Sequence, residues 1–198
     1  KAILEGLLGA DVIGFQTHAG AQNFSRSARE FTEAEGTDTR LEFRGRAVTV
    51  GSYPISIDFK AFEHTASAAR CVRAAQEIRR KVGATRKLLL SVDGLDYTKG
   101  IDTRLAAYEE TLRRGAASVD GCVLMQIAVP TREPVADYAE MRTRIEQLVG
   151  RINGEFSVPG RVAVHYFRRS FTREELVPFY RAADVMVVTP LRDGMNLV

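Results

Sequence analysis

The chain of 198 residues is 45% hydrophobic and 27% charged, which excludes a disordered tail and leaves room for one domain or two partial ones. Its 28 Lys and Arg stand against 25 Asp and Glu for a formal charge of +3; they are interspersed rather than gathered into a basic stripe, so no nucleic-acid partner is expected. No apolar run approaches the ~18 residues of a bilayer span and no charged-then-apolar leader opens the sequence, so a cytoplasmic protein with no membrane partner is expected.

Lys1 to Leu8 reads as the end of a helix closed by Gly9, and Asp11 to Gln16 as a short buried strand. Thr17 or His18 then caps a helix whose Phe24, Ala28 and Phe31 fall on one face. Between Arg40 and Val50 the period changes. Leu41 and Phe43 alternate with polar neighbours, Arg44-Gly45-Arg46 turns, and Ala47 to Val50 returns, which predicts a β-hairpin. Ser52 to Asp58 is extended, because Pro54 lacks a donor and biases Tyr53 away from helix. Ala61 to Val82, with Val72, Ala75, Ile78 and Val82 in register, predicts one long amphipathic helix ending in the solvated run Arg79-Arg80-Lys81.

Beyond Gly83 strands and helices alternate: Lys87 to Val92 a strand, Thr103 to Arg114 a helix, Cys122 to Val129 a strand, Val135 to Val149 a helix. Arg161 to Phe167 is the next strand, Arg173 to Ala182 the next helix, and Asp184 to Thr189 the last strand. Continuous apolar strands alternating with helices predict an α/β fold with a parallel sheet covered on both faces. Right-handed crossovers then put every strand-to-helix loop at one carboxyl edge, where ligands bind in such folds. The two halves part near Tyr53 to Ala61. The sequence opens on Lys1 within helical text and ends on Asn196-Leu197-Val198 without a stop signal, so both ends are expected to be cut.

Three of the carboxyl-edge loops are rich in charge. Asp93 to Gly100 follows the first strand of this half, Pro130 to Glu133 the second, and Thr189 to Asn196 the last, which converges Lys99, Arg132 and Arg192 with Asp96 and Asp193 beside them. Cations next to helix N-termini suit a phosphate-bearing ligand. Plain turn chemistry accounts for part of the same text, with Asp96 or Thr98 as helix caps. In the last loop, a Gly followed by Met-Asn-Leu permits close backbone approach to a ligand. Arg168, Arg169 and Arg173 open a helix at the same edge.

Other residues are assigned to packing. His18, His64 and His165 lie far apart, and Tyr53, Tyr97 and Phe167 read as packing residues. Cys71 and Cys122 have neither CxxC nor Cys/His ligand spacing, so neutral buried thiols are expected. No Walker loop, GxGxxG fingerprint, GxSxG elbow or HExxH helix is present.

Five stretches together resemble the trehalose-6-phosphate synthases, retaining glycosyltransferases of family 20: LLGADVIGFQT at 7 to 17, SYPISID at 52 to 58, LDYTKGI at 95 to 101, GRING at 150 to 154 and AADVMVVTPLRDGMNLV at 182 to 198. The resemblance implies a GT-B fold of two Rossmann-like domains, with residues 1–55 ending the acceptor domain and 56–198 forming most of the nucleotide-sugar donor domain. It implies glucosyl transfer with retention from a nucleotide-glucose, commonly UDP-glucose, to glucose 6-phosphate, the nucleotide-glucose being a substrate rather than a cofactor and no metal being required. A homo-oligomer is compatible with it.

Carried over by motif, Lys99 resembles the lysine on the donor diphosphate and Asp193 the aspartate on the donor sugar hydroxyls, the two residues to which catalysis is assigned. Arg132 resembles the arginine on the acceptor phosphate, Arg173 one near the nucleotide, and Phe171 a position whose backbone meets the base. Gly194, Met195, Asn196, Leu197 and Val198 resemble a loop whose amides hold sugar and diphosphate. Two departures accompany the likeness. Gly94 stands where the family has an arginine on the donor phosphates, and the family's early acceptor-site residues and the glutamate after the last loop are not in the sequence. The chain by itself is therefore expected to be inactive. A synthase with another acceptor, such as glucosylglycerol phosphate synthase, and a non-catalytic nucleotide-sugar-binding homologue are the alternative readings.

Overall fold

The computed structural model describes residues 1–131, 136–191 and 193–196. They form two compact units, residues 1–57 and 58–196.

In the first unit, α1 (Ala2–Leu7) precedes β1 (Val12–Phe15), α2 (His18–Phe31), β2 (Glu35–Gly36), β3 (Arg40–Phe43) and β4 (Arg46–Ser52). The sheet order is β1-β4-β3-β2, with β1 parallel to β4 and the other pairs antiparallel. Arg44 and Gly45 both have positive φ, 51° and 76°. That is the backbone of a two-residue hairpin turn whose twist matches its strands. Thr17 caps α2 by accepting the Gly20 N–H at 3.1 Å. Ile13, Phe24, Ala28, Leu41, Val48 and Val50 make the core.

The structure corrects three readings here. Strand β1 buries only Ile13; Val12 alternates to the opposite face of the sheet, which its exposed β4 partner Thr49 shares, while Ile13 pairs with buried Val50. Phe31 is exposed although it shares a helix face with Phe24, since it is the last residue of α2 and the core beneath the helix does not extend to it. Tyr53 is exposed too, its ring lying over the paired glycines Gly14 and Gly51, where a Cβ would come within 3.0 and 2.9 Å of it.

In the second unit, α3 (Phe59–Ser67) and α4 (Ala69–Val82) precede β5 (Lys87–Gly94), a 3-10 turn (Tyr97–Lys99), α5 (Ile101–Arg113), β6 (Cys122–Val129), α6 (Ala136–Phe156), β7 (Val164–Phe167), α7 (Arg173–Ala182) and β8 (Val185–Met186). The sheet is parallel throughout, in the order β7-β6-β5-β8. Alternation decides the two faces of its strands. Leu88, Leu90, Val92, Val123 and Ile127 meet Ala75, Val82 and Ala182 of α4 and α7, whereas Leu124 and Ala128 meet Leu105, Ile145 and Ile152 of α5 and α6.

The single helix expected over Ala61 to Val82 is two, broken at Ala68, whose ψ of 137° is extended. In the last turn of α3 Thr65 and Ser67 donate their hydroxyls to the carbonyls of Ala61 and Glu63, at 2.9 and 2.8 Å, which weakens the helical ladder there, although a single bond of this kind, Thr143 to Ala139 at 3.0 Å, leaves α6 unbroken. Helix α6 continues past Val149 to Phe156, and Asn153 in it holds β7 by bonding both the N–H and the carbonyl of Val164 at 2.8 and 2.9 Å. Strands β7 and β8 are shorter than their apolar text, although the Val187 N–H still donates to the Leu90 carbonyl at 2.7 Å. Arg79 is not merely solvated. It meets Asp184 at 2.8 Å and donates to the carbonyls of Ala84 and Arg86, closing α4 onto the strand. Among the described residues no helix is long and apolar enough to cross a membrane.

Glu109 on α5 is buried and takes Arg151 of α6 at 2.7 Å and Arg113 at 3.0 Å. The Arg151 hydrogen bond, then that of Arg113, holds its carboxyl below the usual 4.5 against the opposing effect of burial. A pKa lowered by folding gives stability that is complete above the ordinary glutamate range and is lost as pH falls through the lowered value. The variant Glu109→Gln is expected to be ~1–2 kcal/mol less stable than the parent in urea at pH 7, the exposed arginines discounting the pair. At pH 3 the gap should narrow. A gap unchanged between the two pH values would refute the assignment.

Candidate functional site

The carboxyl ends of β5 and β8 bring two of the expected residues together. Lys99 closes the 3-10 turn after β5, and its Nζ donates to Oδ2 of Asp193, beyond β8, at 2.6 Å. The pair is partly shielded, the two side chains being 24% and 15% exposed. Asp193 Oδ1 also accepts the Met195 N–H at 3.1 Å. The Lys99 hydrogen bond, opposed by burial and helped by the Met195 amide, holds the Asp193 carboxyl below the usual carboxylate value. The carboxylate is therefore ionised throughout the neutral range and is an acceptor for hydroxyl groups.

Local sequence sets this geometry. Asp96 caps the 3-10 turn through the Thr98 N–H at 2.8 Å and takes the Tyr138 hydroxyl at 3.0 Å, so it is a structural cap. Gly100 has φ 62°, and a Cβ there would lie 2.8 Å from the Thr189 carbonyl oxygen. Only glycine lets these two loops approach so closely. They are stitched again where the Leu191 N–H donates to the Thr98 carbonyl at 2.8 Å.

Phe171 and Arg173 stand at the start of α7. Phe171 packs edge-on against Phe179 at 5.3 Å, with Arg169 4.2 Å over its ring, and lines a groove of about 470 Å³ shared with Cys71, Ile78 and Glu175. Arg173 lies 5.1 Å over the ring of Phe62. Gly194 has open space around it and Met195 is exposed. Arg132, Arg192, Leu197 and Val198 lie outside the described residues. Tyr97, read as a packing residue, is exposed beside Tyr138 at 6.2 Å. Both cysteines are buried and free, and burial, then Arg86, pushes the His165 pKa down. Among the described residues no three of His, Cys, Asp and Glu are grouped to hold a metal ion.

The family model of glycosyltransferase family 20 matches residues 1–198. The chain belongs to that family. It is 50% identical over 205 residues to the trehalose-6-phosphate synthase of Mycobacterium avium, covering 99% of this chain and 42% of that protein. With the synthase of Mycobacterium leprae it shares 48% over 205 residues, 99% of this chain and 41% of the other. Among solved structures, a UDP-forming synthase from Burkholderia xenovorans superposes with a TM-score of 0.86 at 36% identity over 98% of this chain and 44% of its own. An Escherichia coli relative bound with UDP-2-fluoro glucose gives 0.87 at 31% identity, over 99% and 43%. The α/β architecture is thus that of the GT-B trehalose-phosphate synthases. The chain spans about two-fifths of the length of the curated relatives it matches.

Sequence reading of this family member missed the group under Lys99. Arg104 of α5 and Asp93 of β5 pair at 2.6 Å with side chains only 3% and 2% exposed. Gln126 of β6 joins them, its Oε1 2.9 Å from Arg104 and its Nε2 3.2 Å from Asp93, and Ser91 Oγ lies 2.9 Å from Asp93. The available signal is Gln126 itself, a polar residue inside the apolar run CVLMQIAV at a position that alternation turns toward α5.

Proposed function

We propose that this chain supplies the donor-binding part of an enzyme that moves glucose from a nucleotide-glucose, of the UDP-glucose type, to glucose 6-phosphate with retention. Residues 58–196 then belong to the donor domain and residues 1–57 end the acceptor domain. The observation that carries the reading is the Lys99–Asp193 pair at 2.6 Å, formed at the strand ends where the family motifs fall. In a relative from Burkholderia xenovorans, 32% identical with a TM-score of 0.89 over 99% of this chain and 44% of its own, glucose-6-phosphate is the bound molecule.

In this reading Lys99 neutralises the donor diphosphate as it leaves, while Asp193 accepts hydrogen bonds from the donor sugar. Phe171 and Arg173 border the nucleotide, Gly194 to Val198 offer backbone amides, and Arg132 takes the acceptor phosphate. The oxocarbenium-like state gains most from charge placed where the diphosphate departs, and from an acceptor held in line, so no covalent nucleophile is assigned. The test is release of UDP from UDP-glucose. The 198-residue chain alone should release none. The same chain carrying the segments that its relatives have on either side should release it only with glucose 6-phosphate present, and silence there would overturn the reading.

Gly94 gives a sharper expectation. It ends β5 beside Val129, its φ is not in the left-handed region, and among the described residues a Cβ would meet Thr131 Cγ2 at 3.3 Å. A Cβ therefore fits once Thr131 gives by a few tenths of an ångström. A second charge-assisted phosphate contact is worth ~1.5–3 kcal/mol before the cost of ordering the side chain. Gly94→Arg should lower the donor KM several-fold, and an unchanged KM would show that another cation already fills that role.

A further inference from the structure

Arg104 uses every edge of its guanidinium. Nη1 donates to Asp93 Oδ2 at 2.6 Å and Gln126 Oε1 at 2.9 Å, Nε to Thr189 Oγ1 at 2.9 Å, and Nη2 to the Lys99 carbonyl at 3.2 Å. One side chain thereby joins the end of β5, the middle of β6, the turn bearing Lys99 and the segment leading from β8 to Asp193. A buried ion pair is a poor means of adding stability, since desolvation cancels much of the attraction. Its value lies in direction. The planar fork adds a directed tie between two segments that also meet at the Lys99–Asp193 pair, the Leu191–Thr98 hydrogen bond and the Gly100–Thr189 contact.

We propose that Arg104 is the positioning residue of the donor site: through the Lys99 carbonyl and Thr189 it sets the spacing of Lys99 and Asp193, and so the fit of a nucleoside diphosphate sugar. This rests on the function proposed above. Lysine cannot replace it, because a single ammonium supplies the charge for Asp93 but not the fork. Misplacement of about 1 Å in such a pair costs on the order of 100-fold in rate.

The experiment measures both Michaelis constants, and UDP binding by calorimetry, in the chain completed with its relatives' flanking segments. Arg104→Lys should raise the donor KM and weaken UDP binding by ~10-fold or more, with the acceptor KM within about two-fold of the parent. Equal rises in both KM values, or a loss of kcat that only tracks loss of folded protein, would mark a merely structural arginine and overturn the proposal. Should Arg104→Lys fail to fold, Thr189→Val removes the Nε partner alone and should still raise the donor KM by ~3-fold, a lost neutral acceptor being worth less than a charged one. UDP binding separates the two ideas. A parent that binds UDP without transferring glucose defeats the function proposed above, while variants that bind UDP as tightly as the parent defeat the positioning role.

Discussion

Lys99→Met is expected to lower kcat/KM for the nucleotide-glucose by ~10- to 100-fold, the equivalent of one charge-assisted contact of about 1.5–3 kcal/mol. Because the diphosphate gains charge as the glycosidic bond breaks, part of the loss should appear in kcat and not only in donor KM. The acceptor KM should hardly move. Stability should change little, since the Lys99–Asp193 pair is partly solvated and Asp193 keeps the Met195 amide. Without the lysine the Asp193 pKa rises toward the usual 3.8, still far below neutrality, so the pH profile between 6 and 8 should keep its shape. Steady-state kinetics with each substrate varied in turn, beside a thermal melt, checks all of these. A donor kcat/KM within two-fold of the parent would remove Lys99 from the diphosphate site.

Particular residues show what the sequence makes legible. The hairpin is readable because Leu41 and Phe43 alternate and Arg44-Gly45 takes the positive φ values its turn requires. The parallel sheet is readable because Leu88 to Val92 and Cys122 to Val129 are apolar on both faces. Helix α7 covers Arg173 to Ala182 as its text predicts, and the structure adds a capping box between Thr172 and Glu175. The break at Ala68 is not readable, because alanine there suits a helix and the hydroxyl bonds of Thr65 and Ser67 that weaken the turn before it are seen only in the fold. The exposure of Val12 and Phe31 is equally hidden, since periodicity names a face but not whether anything covers it.

In the site the same division holds. Loop motifs point to Lys99 and Asp193, whereas Arg104 lies within the helix text Thr103 to Arg114 and carries no motif. Only the strand partners betray it. Asp93, read as the first residue of a loop, instead extends β5 and with Gln126 faces α5, and two polar residues on neighbouring strands imply a third group between them.

Asp93→Asn should be the most damaging single change to stability, because it leaves the Arg104 guanidinium charged, 3% exposed and without its counter-charge. Breaking a buried pair from one side costs ~3–5 kcal/mol. For a unit of this size the thermal midpoint should fall by roughly 10–20 °C. Asparagine keeps the volume, so no cavity contributes to the loss. The double variant Asp93→Asn with Arg104→Met should recover much of it, since neither charge then remains buried, and the recovery measures their coupling. Donor binding should not recover with it. Methionine cannot donate to the Lys99 carbonyl or to Thr189, so the double variant should melt near the parent and still bind UDP about 10-fold more weakly. Calorimetry and a melt on the same samples would decide this. If stability and donor affinity return together, the buried pair serves the fold alone; if stability returns without affinity, the same arginine that costs the core its apolarity is what aims the loops above it.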